Sequence, residues 1–300
     1  MPREKADKSS QVATPLPTGG LAKNTIAFQG ELGAYSHMAC QACYPDMTVL
    51  PCPSFEDALA AVSSKKAQLA MIPIENSTAG RVADIHTLLP GSGLFIIGEH
   101  FESIRHCLLA TTDADETTLK TVTSHVQALG QCRKNLRAMG LNREPFADTA
   151  GSAKYVAEQG DKTIAGIASE LAAQVYGLKI IRRDLQDEGN NTTRFVVLAR
   201  SPLDYSEIEG PVMTSFTFEV RNIPAALYKA LGGFATNSVN MTKLESYYES
   251  DSFKVSEFYA DIVGHEGMAN VARAMEELRF HTKRVRVVGT YPLARDRGIT

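Results

Sequence analysis

Gln68-Leu69-Ala70-Met71-Ile72-Pro73-Ile74-Glu75-Asn76-Ser77 is an apolar run that ends in three polar residues. The apolar part predicts a buried strand over Gln68–Ile74, and a helical stretch follows the polar residues. Strand-to-helix turns of a parallel α/β sheet face the ligand crevice, so Glu75, Asn76 and Ser77 would present a carboxylate, an amide and a hydroxyl there. The alternative is that Asn76 or Ser77 only caps the following helix.

Apolar runs and segments with helical periodicity alternate on both sides of this strand. The first set of elements comprises strands at Thr25–Gln29, Thr48–Cys52, Leu94–Glu99 and Arg105–Thr111 and helices at Ala34–Tyr44 and Phe55–Lys65. The pattern then restarts with strands at Thr121–Ser124, Thr163–Ala168 and Thr192–Ala199 and helices at Gln127–Met139 and Ser169–Tyr176. This order predicts two α/β lobes with parallel-rich sheets, crossovers near Ile104 and Gly189, and a small-molecule cleft between them.

Residues 212–293 have a different pattern. Strands are predicted at Thr214–Val220, Asn240–Tyr248, Lys254–Ile262 and Arg284–Thr290. One amphipathic helix begins near Pro224 and a second near Met268. The order βαββαβ is that of the ferredoxin-like unit.

These patterns divide the chain into four segments. We expect a disordered tail at 1–23, a domain at 24–200, a linker at 201–211 and a ferredoxin-like domain at 212–293. Within the large domain, lobe one would comprise about 24–104 and 189–200, and lobe two about 105–188.

The overall composition excludes several classes of protein. With 31 basic and 34 acidic residues and a net charge of −3, the chain has no basic excess that would favour nucleic acid or an anionic membrane. No apolar run is long enough to span a bilayer, and the N-terminus lacks the apolar core of a signal peptide. We therefore expect a soluble, cytoplasmic protein.

The sequence also gives no sign of a metal or cofactor. Its five cysteines, an odd number, are expected to be reduced. Cys40 and Cys43 form a C-x-x-C inside a predicted helix without a second pair, so we interpret them as core residues. No dinucleotide loop, Walker motif or spaced His/carboxylate cluster is present, and neither a metal nor a cofactor is predicted.

Two further polar runs occupy comparable positions. Ser124-His125-Val126-Gln127-Ala128-Leu129-Gly130-Gln131 begins a helix, where the Ser124 hydroxyl and free backbone N–H groups could bind an anion and Gln127 and Gln131 share a face. Alternatively, this is a surface helix. Asn190-Asn191-Thr192-Thr193-Arg194-Phe195 leads into a strand, where Arg194 could hold a carboxylate. Thr193 and Arg194 point to opposite faces of a regular strand, so both reach one ligand only if the strand is irregular.

Together, these three runs resemble those of prephenate dehydratases. Gly30-Glu31-Leu32-Gly33-Ala34-Tyr35-Ser36-His37 is similar to the opening segment of that family, and the similarity extends from about Thr25 to Pro292. The resemblance implies a two-lobed catalytic domain like the periplasmic binding proteins, followed by an ACT domain. It further implies conversion of prephenate to phenylpyruvate, carbon dioxide and water, without a cofactor.

The resemblance also assigns roles to residues. Thr193 would act at the leaving hydroxyl, and Glu75 is a second candidate for the acid if a closed cleft raises its pKa. The residues expected to orient the carboxylates and ring of the substrate are Asn76, Ser77, Ser124, Gln131 and Arg194. Ser36 and His37 would line the same cleft.

The ACT domain of relatives binds L-phenylalanine, and the expected effector residues here are Ala225, Ala226, Leu227, Asn240, Glu245 and Ser246. Relatives often have Pro-Gly-Ala-Leu where this chain has Pro224-Ala225-Ala226-Leu227, and Glu-Ser-Arg-Pro where it has Glu245-Ser246-Tyr247-Tyr248. The added methyl of Ala225 and the loss of Arg-Pro leave the strength and sign of the control open. Because ACT domains generally pair, we expect a homodimer or homotetramer.

Two other functions remain open from the sequence. Arogenate differs from prephenate by an amino group in place of the keto oxygen, and one polar contact could decide between them. A non-catalytic two-lobed ligand-binding sensor is the alternative from another class.

Overall fold

The computed structural model describes residues 24–248 and 255–294. The predicted tail at 1–23 lies outside the described residues. Within the described part of the chain, no helix is both long and apolar enough to cross a bilayer.

The first segment contains strands β1 (Thr25–Gln29), β2 (Thr48–Cys52), β3 (Leu69–Asn76), β4 (Gly80–Arg81) and β5 (Phe95–Ser103) and helices α1 (Tyr35–Cys43), α2 (Phe55–Ser63) and α3 (Ala83–Gly91). The second contains β6 (Cys107–Ala110), β7 (Thr121–Ser124), β8 (Asn142–Pro145), β9 (Ile164–Ala168) and β10 (Lys179–Arg182) with α4 (Val126–Gln131), α5 (Arg133–Ala138), α6 (Thr149–Gln159) and α7 (Glu170–Tyr176). The third contains β11 (Thr192–Ala199), β12 (Val212–Val220), β13 (Met241–Tyr248), β14 (Val255–Val263) and β15 (Thr282–Pro292) with α8 (Ala226–Thr236) and α9 (Ala269–His281).

These strands form three sheets. The first has the order β2-β1-β3-β11-β5 with β4 beside β3, the second β10-β6-β9-β7-β8, and the third β13-β14-β12-β15. β1 is parallel to β2 and β3, and β7 is parallel to β8 and β9, as the βαβ pattern predicts. The two-lobed α/β class and the ferredoxin-like βαββαβ order are both confirmed.

β11 joins the first sheet although it follows the whole second sheet in the chain. It lies between β3 and β5 and is antiparallel to both. Its apolar residues alternate between the two sheet faces. Phe195 and Val197 pack with α1 residues such as Cys40, whereas Val196 and Leu198 face a second core.

That second core is shared with the third sheet. Ile72 and Ile96 of the first sheet pack in one cluster with Met213, Val288 and Tyr291 of the third. The two sheets therefore form one folded body rather than two units joined by a linker alone. The stretch between β11 and β12 holds a short 3-10 turn at Tyr205–Glu207.

Some predicted elements differ from the observed ones. The predicted helix Gln127–Met139 is divided at Cys132 into α4 and α5, because the Asp187 carboxylate accepts from the backbone N–H groups of Lys134 and Asn135 at the start of α5. α6 was not predicted. It begins at an Asp148 cap and ends at Gly160, but its buried face consists mainly of small residues.

The closest approach between the first and third sheets occurs at Gly289. A Cβ atom there would collide with the backbone carbonyl of Ile96 in β5. Gly289→Ala is expected to lower the free energy of unfolding by about 1–3 kcal/mol or more, because the backbone must move to accept the methyl group. Chemical denaturation followed by circular dichroism measures this change.

Gly232→Ala is the matched control. Gly232 lies in α8, and a Cβ atom there would contact nothing within 4 Å. Alanine at an open helical position is expected to be neutral or to stabilise by about 0.5–1 kcal/mol. Equal stability of Gly289→Ala and the wild type would contradict the close packing of the two sheets.

Candidate active site

A β-bulge in β3 determines which side chains enter the cleft. Arg194 of β11 lies opposite Glu75, whereas Phe195 lies opposite Pro73, so Ile74 is the extra residue. A bulge turns successive side chains to the same face of the sheet. Ile74 and Glu75 therefore both face the third sheet, and Asn76 faces the other way.

Asn76 and Thr193 lie opposite each other on that other face. The Asn76 amide nitrogen donates to the Thr193 hydroxyl at 2.9 Å and to the Asn191 side-chain oxygen at 2.7 Å. The Asn76 oxygen accepts from the Thr78 hydroxyl and backbone and from the Ala79 backbone, at 2.8–3.0 Å. Asn76 is thus held at both ends and fixes the position of the Thr193 hydroxyl.

Gln131 connects this group to lobe two. Its amide nitrogen donates to the Thr78 hydroxyl at 2.8 Å, and its oxygen accepts from the Asn191 amide at 3.0 Å. We call Asn76, Thr78, Gln131, Asn191 and Thr193 the cleft cluster. A cavity of about 280 Å³ opens beside it and is also lined by Gln127.

His106 supports Gln131 from behind. Burial lowers the pKa of His106, so the ring is neutral and its Nε2–H donates to the Gln131 oxygen at 2.7 Å. Its Nδ1 lies 2.7 Å from the Tyr35 hydroxyl, which also donates to the Arg105 carbonyl at 2.9 Å. The cleft cluster and the His106 ring behind it are therefore uncharged.

The predicted residues Ser36 and His37 are not part of this hydrogen-bonded cluster. His37 is buried, accepts from the Gly33 backbone at 3.0 Å and stacks on Phe28. Burial lowers the pKa of its ring. Gly33 has φ +86°, and a Cβ there would lie 2.6 Å from Ala172 of lobe two. His37 therefore stabilises a glycine loop at the contact between the lobes.

The two predicted serines hold backbone rather than open space. The Ser77 hydroxyl donates to the Asn190 carbonyl and accepts from the Thr192 N–H, both at 2.9 Å. Ser124 is fully buried and donates to the Ile167 carbonyl at 2.7 Å. These bonds join the strand ends beside the cleft and leave neither hydroxyl directed at a ligand.

Arg194 does not point into the cleft, contrary to the expectation that it orients the substrate. Its side chain is 1% exposed and lies on the face of β11 that contacts the third sheet. It donates to Glu99 at 2.7 Å, to Glu75 at 3.0 Å and to Asp261 at 2.6 Å. The irregularity that would bring Thr193 and Arg194 to one ligand is in β3 instead, so the two side chains remain on opposite faces.

Glu75 is also an unfavourable candidate for an acid. Its carboxylate accepts from Lys243 at 2.6 Å and from Arg194 at 3.0 Å. Burial raises the pKa of Glu75, but the hydrogen bonds and charges of Lys243 and Arg194 outweigh this effect and lower the pKa overall. An acid needs the opposite shift, and the bulge directs Glu75 away from Thr193.

The reasoning from sequence did not select three members of the site: Thr78, Asn191 and His106. Thr78 and Asn191 adjoin selected motifs, so their polarity was visible, but their roles depend on contacts between segments more than 100 residues apart. His106 lies outside the polar runs of the sequence, and its contact with Gln131 depends on how lobe two folds.

The expected effector residues of the C-terminal unit lie in two places. Ala225 has φ +59° and precedes α8, with Ala226 and Leu227 in the first turn. Asn240 lies beyond the other end of this 11-residue helix. The Glu245 carboxylate lies 3.4 Å from Lys243, and the Ser246 carbonyl accepts from Arg81 at 2.6 Å.

Comparison with known proteins identifies the family of this chain. A family model for prephenate dehydratase matches residues 26–203. A bifunctional N-acyl-homoserine lactone acylase/prephenate dehydratase of Komagataeibacter europaeus is 45% identical over 267 residues, covering 89% of this chain and 95% of that protein. Arogenate dehydratase 2 of Petunia hybrida is 38% identical over 281 residues, covering 89% of this chain and 71% of that protein.

A solved structure agrees with this assignment. The prephenate dehydratase of Arthrobacter aurescens, in complex with L-Phe, superposes with a TM-score of 0.82 at 29% identity and covers 90% of both chains. Its fold extends over the C-terminal unit as well as the two lobes. The chain described here belongs to the prephenate dehydratase family.

Proposed function

We propose that this chain is a prephenate dehydratase, a hydro-lyase of L-phenylalanine biosynthesis that converts prephenate to phenylpyruvate. The observation that carries the proposal is the Thr193 hydroxyl, which Asn76 holds at the edge of the inter-lobe cleft. Within the described residues, this hydroxyl accepts a hydrogen bond and has no acceptor for its own proton. That proton is therefore available to an oxygen atom of a bound substrate.

The reaction requires one bond to break at each end of the prephenate ring. The C–O bond to the ring hydroxyl breaks, and the oxygen takes up a proton and leaves as water. The bond to the ring carboxylate breaks as well, so its electron pair enters the ring and carbon dioxide departs. The conversion is redox neutral, and aromatisation supplies the driving force, so no cofactor is needed.

An uncharged cleft suits this chemistry. The ring carboxylate loses its charge as it becomes carbon dioxide, so a strong ion pair would stabilise the ground state more than the transition state. Amide and hydroxyl groups orient the carboxylate without this penalty. The neutral cleft cluster and the burial of Arg194 on the other sheet face support this interpretation.

We assign the role at the leaving hydroxyl to Thr193. Its hydroxyl donates a hydrogen bond to the departing oxygen, and solvent in the cleft supplies the net proton. Asn76 and Gln131 hold Thr193 and the two lobes in register, and a relative movement of the lobes would close the cleft around the substrate.

We infer that the C-terminal unit is an ACT domain that binds L-phenylalanine. The order of its elements and the L-Phe complex of the Arthrobacter relative support this inference. A left-handed conformation at Ala225, where relatives often have glycine, is consistent with a modified effector site. The separation of Ala225 from Asn240 supports a site shared between two copies of the chain.

Assembly into a homodimer or homotetramer follows from the same inference. Exposed apolar side chains on this unit support it: Tyr228 is 81% exposed and Phe280 is 74% exposed. Aromatic side chains of this size commonly become buried at interfaces. The expected location is the cytoplasm.

The substrate preference is tested by incubating the purified protein with prephenate and, separately, with arogenate. We expect rapid formation of phenylpyruvate from prephenate and much slower formation of phenylalanine from arogenate. Liquid chromatography of both products at equal substrate concentrations measures the ratio of kcat/KM. A preference for arogenate would keep the chemistry and change the substrate, whereas no turnover of either would favour the non-catalytic binding protein.

Thr193→Val tests the catalytic role, because valine retains the shape of threonine without its hydroxyl. We expect kcat to fall by about 10²- to 10³-fold, the usual cost of removing one hydrogen-bond donor to the transition state. Thr193→Ser keeps a hydroxyl and is expected to retain most of the activity. Near-normal turnover by Thr193→Val would exclude the assigned role.

A second candidate function is hydrolysis of N-acyl-homoserine lactones. The similarity to the bifunctional Komagataeibacter protein over 95% of its length favours testing it. The same preparation is given an N-acyl-homoserine lactone, and release of the homoserine lactone amine is measured. Hydrolysis by both the wild type and Thr193→Val would place this activity at a site other than the Thr193 hydroxyl, and no hydrolysis would exclude it.

A further inference from the structure

Arg194 lies at the centre of a buried ionic cluster that joins the catalytic lobe to the C-terminal unit. Glu75 and Glu99 come from β3 and β5 of the first sheet, and Lys243 and Asp261 come from β13 and β14 of the third. We call these five residues the Arg194 cluster. The side chains of Arg194, Glu99 and Asp261 are at most 1% exposed, and that of Lys243 is 9% exposed.

Three hydroxyl groups complete the hydrogen bonding of the cluster. Arg194 donates to the Tyr291 hydroxyl at 2.9 Å, and Tyr291 and Tyr259 both contact the Ser215 hydroxyl. Ser215 in turn donates to Asp261 at 2.5 Å. Because each charged group has partners in fixed positions, the cluster has one well-defined arrangement.

The cluster lies directly behind the proposed catalytic groups. Arg194 follows Thr193 in β11, and Glu75 precedes Asn76 in β3. The paired positions Arg194–Glu75 and Thr193–Asn76 are consecutive steps of the same antiparallel ladder. A displacement of the first pair must therefore move the second, since one peptide bond separates the two pairs on each strand.

We propose that Lys243 and Asp261 of the C-terminal unit are positioning residues for the dehydratase reaction. They hold Glu75 and Arg194 on the rear face of β3 and β11 and thereby set the geometry of Asn76 and Thr193 on the front face. This role rests on the proposed function for its kinetic consequence. It explains why an arginine adjacent to Thr193 is buried beside a neighbouring unit instead of facing a substrate.

Lys243 also contacts a second carboxylate. Its ammonium group lies 2.6 Å from Glu75 and 3.4 Å from Glu245, and Glu245 is 3.8 Å from Arg81. Two carboxylates therefore share one ammonium group.

The test compares Lys243→Met with Lys283→Met. Lys283 makes an ion pair with Glu219 at 2.7 Å in the same third sheet, but its side chain is 50% exposed. It lies at the opposite end of β15 from Tyr291, the residue of that strand that contacts Arg194. Lys243→Met is expected to lower kcat for prephenate by about 10- to 100-fold, because Asn76 and Thr193 would be displaced from their productive positions. The change in KM is expected to be smaller. Lys243→Arg is expected to restore most of kcat, and Lys283→Met to match the wild type.

Amide hydrogen exchange gives a second measurement that does not require activity. Exchange in segments 74–79 and 190–194 is expected to become faster in Lys243→Met and to stay unchanged in Lys283→Met. Glu75→Gln removes the same ion pair by changing its partly exposed partner. It replaces Lys243→Met in the experiment if that variant does not fold. It is expected to change exchange in the same two segments.

The outcomes separate this proposal from the proposed function. A wild type that turns over prephenate, with Lys243→Met and Glu75→Gln unchanged in kcat and exchange, would overturn the positioning role alone. A wild type without dehydratase activity would instead contradict the proposed function, and the exchange measurement would still decide whether Lys243 orders the two strand ends. A uniform rise in exchange over the whole chain would indicate a general structural role and would also overturn the proposal.

Discussion

The buried guanidinium group of Arg194 is the constraint on which the docking of the first sheet against the C-terminal unit depends. A charge taken out of water is stable only when oppositely charged partners and hydrogen bonds replace its hydration, and removing one partner of such a group costs about 3–5 kcal/mol. Glu75 and Glu99 supply part of this compensation from the first sheet. Asp261 and Tyr291 supply the rest, so the third sheet must dock for Arg194 to be satisfied.

The bulge at Ile74 makes this arrangement compatible with a functional cleft. Without an extra residue, strict alternation would put Glu75 on the α1 face with Met71 and leave Asn76 facing the third sheet. With the bulge, the carboxylate reaches Arg194 and the amide reaches Thr193. The apolar core below it, with Ile72 and Ile74, is fully buried and keeps the register from slipping.

Much of the fold was predictable from the sequence, and the reasons are local. β1, β2, β7 and β11 occur at the predicted bounds, and for β1 and β11 the reason is that apolar runs between turns specify buried strands. The cleft cluster was predicted in part, through Asn76, Gln131 and Thr193. The face on which Glu75 lies was not predictable, because one bulged residue in β3 reverses the alternation and the periodicity of the sequence gives no sign of it. Regular alternation does put Arg194 on the face opposite Thr193, but its partners in the third sheet depend on tertiary packing. The break before α5 likewise depends on Asp187, more than 40 residues away.

Neighbouring residues therefore have separate physical roles in the run Asn191-Thr192-Thr193-Arg194-Phe195. Thr193 faces the cleft, Arg194 joins the C-terminal unit, and Phe195 fills the core against α1. A family motif of this kind identifies the protein without implying that each member touches the substrate. The strand presents its side chains to two faces, so selection for catalysis on one face and for docking on the other acts on the same short segment. Any displacement that the C-terminal unit imposes on Arg194 thus acts one residue from the Thr193 hydroxyl, to which we assign the role at the leaving group.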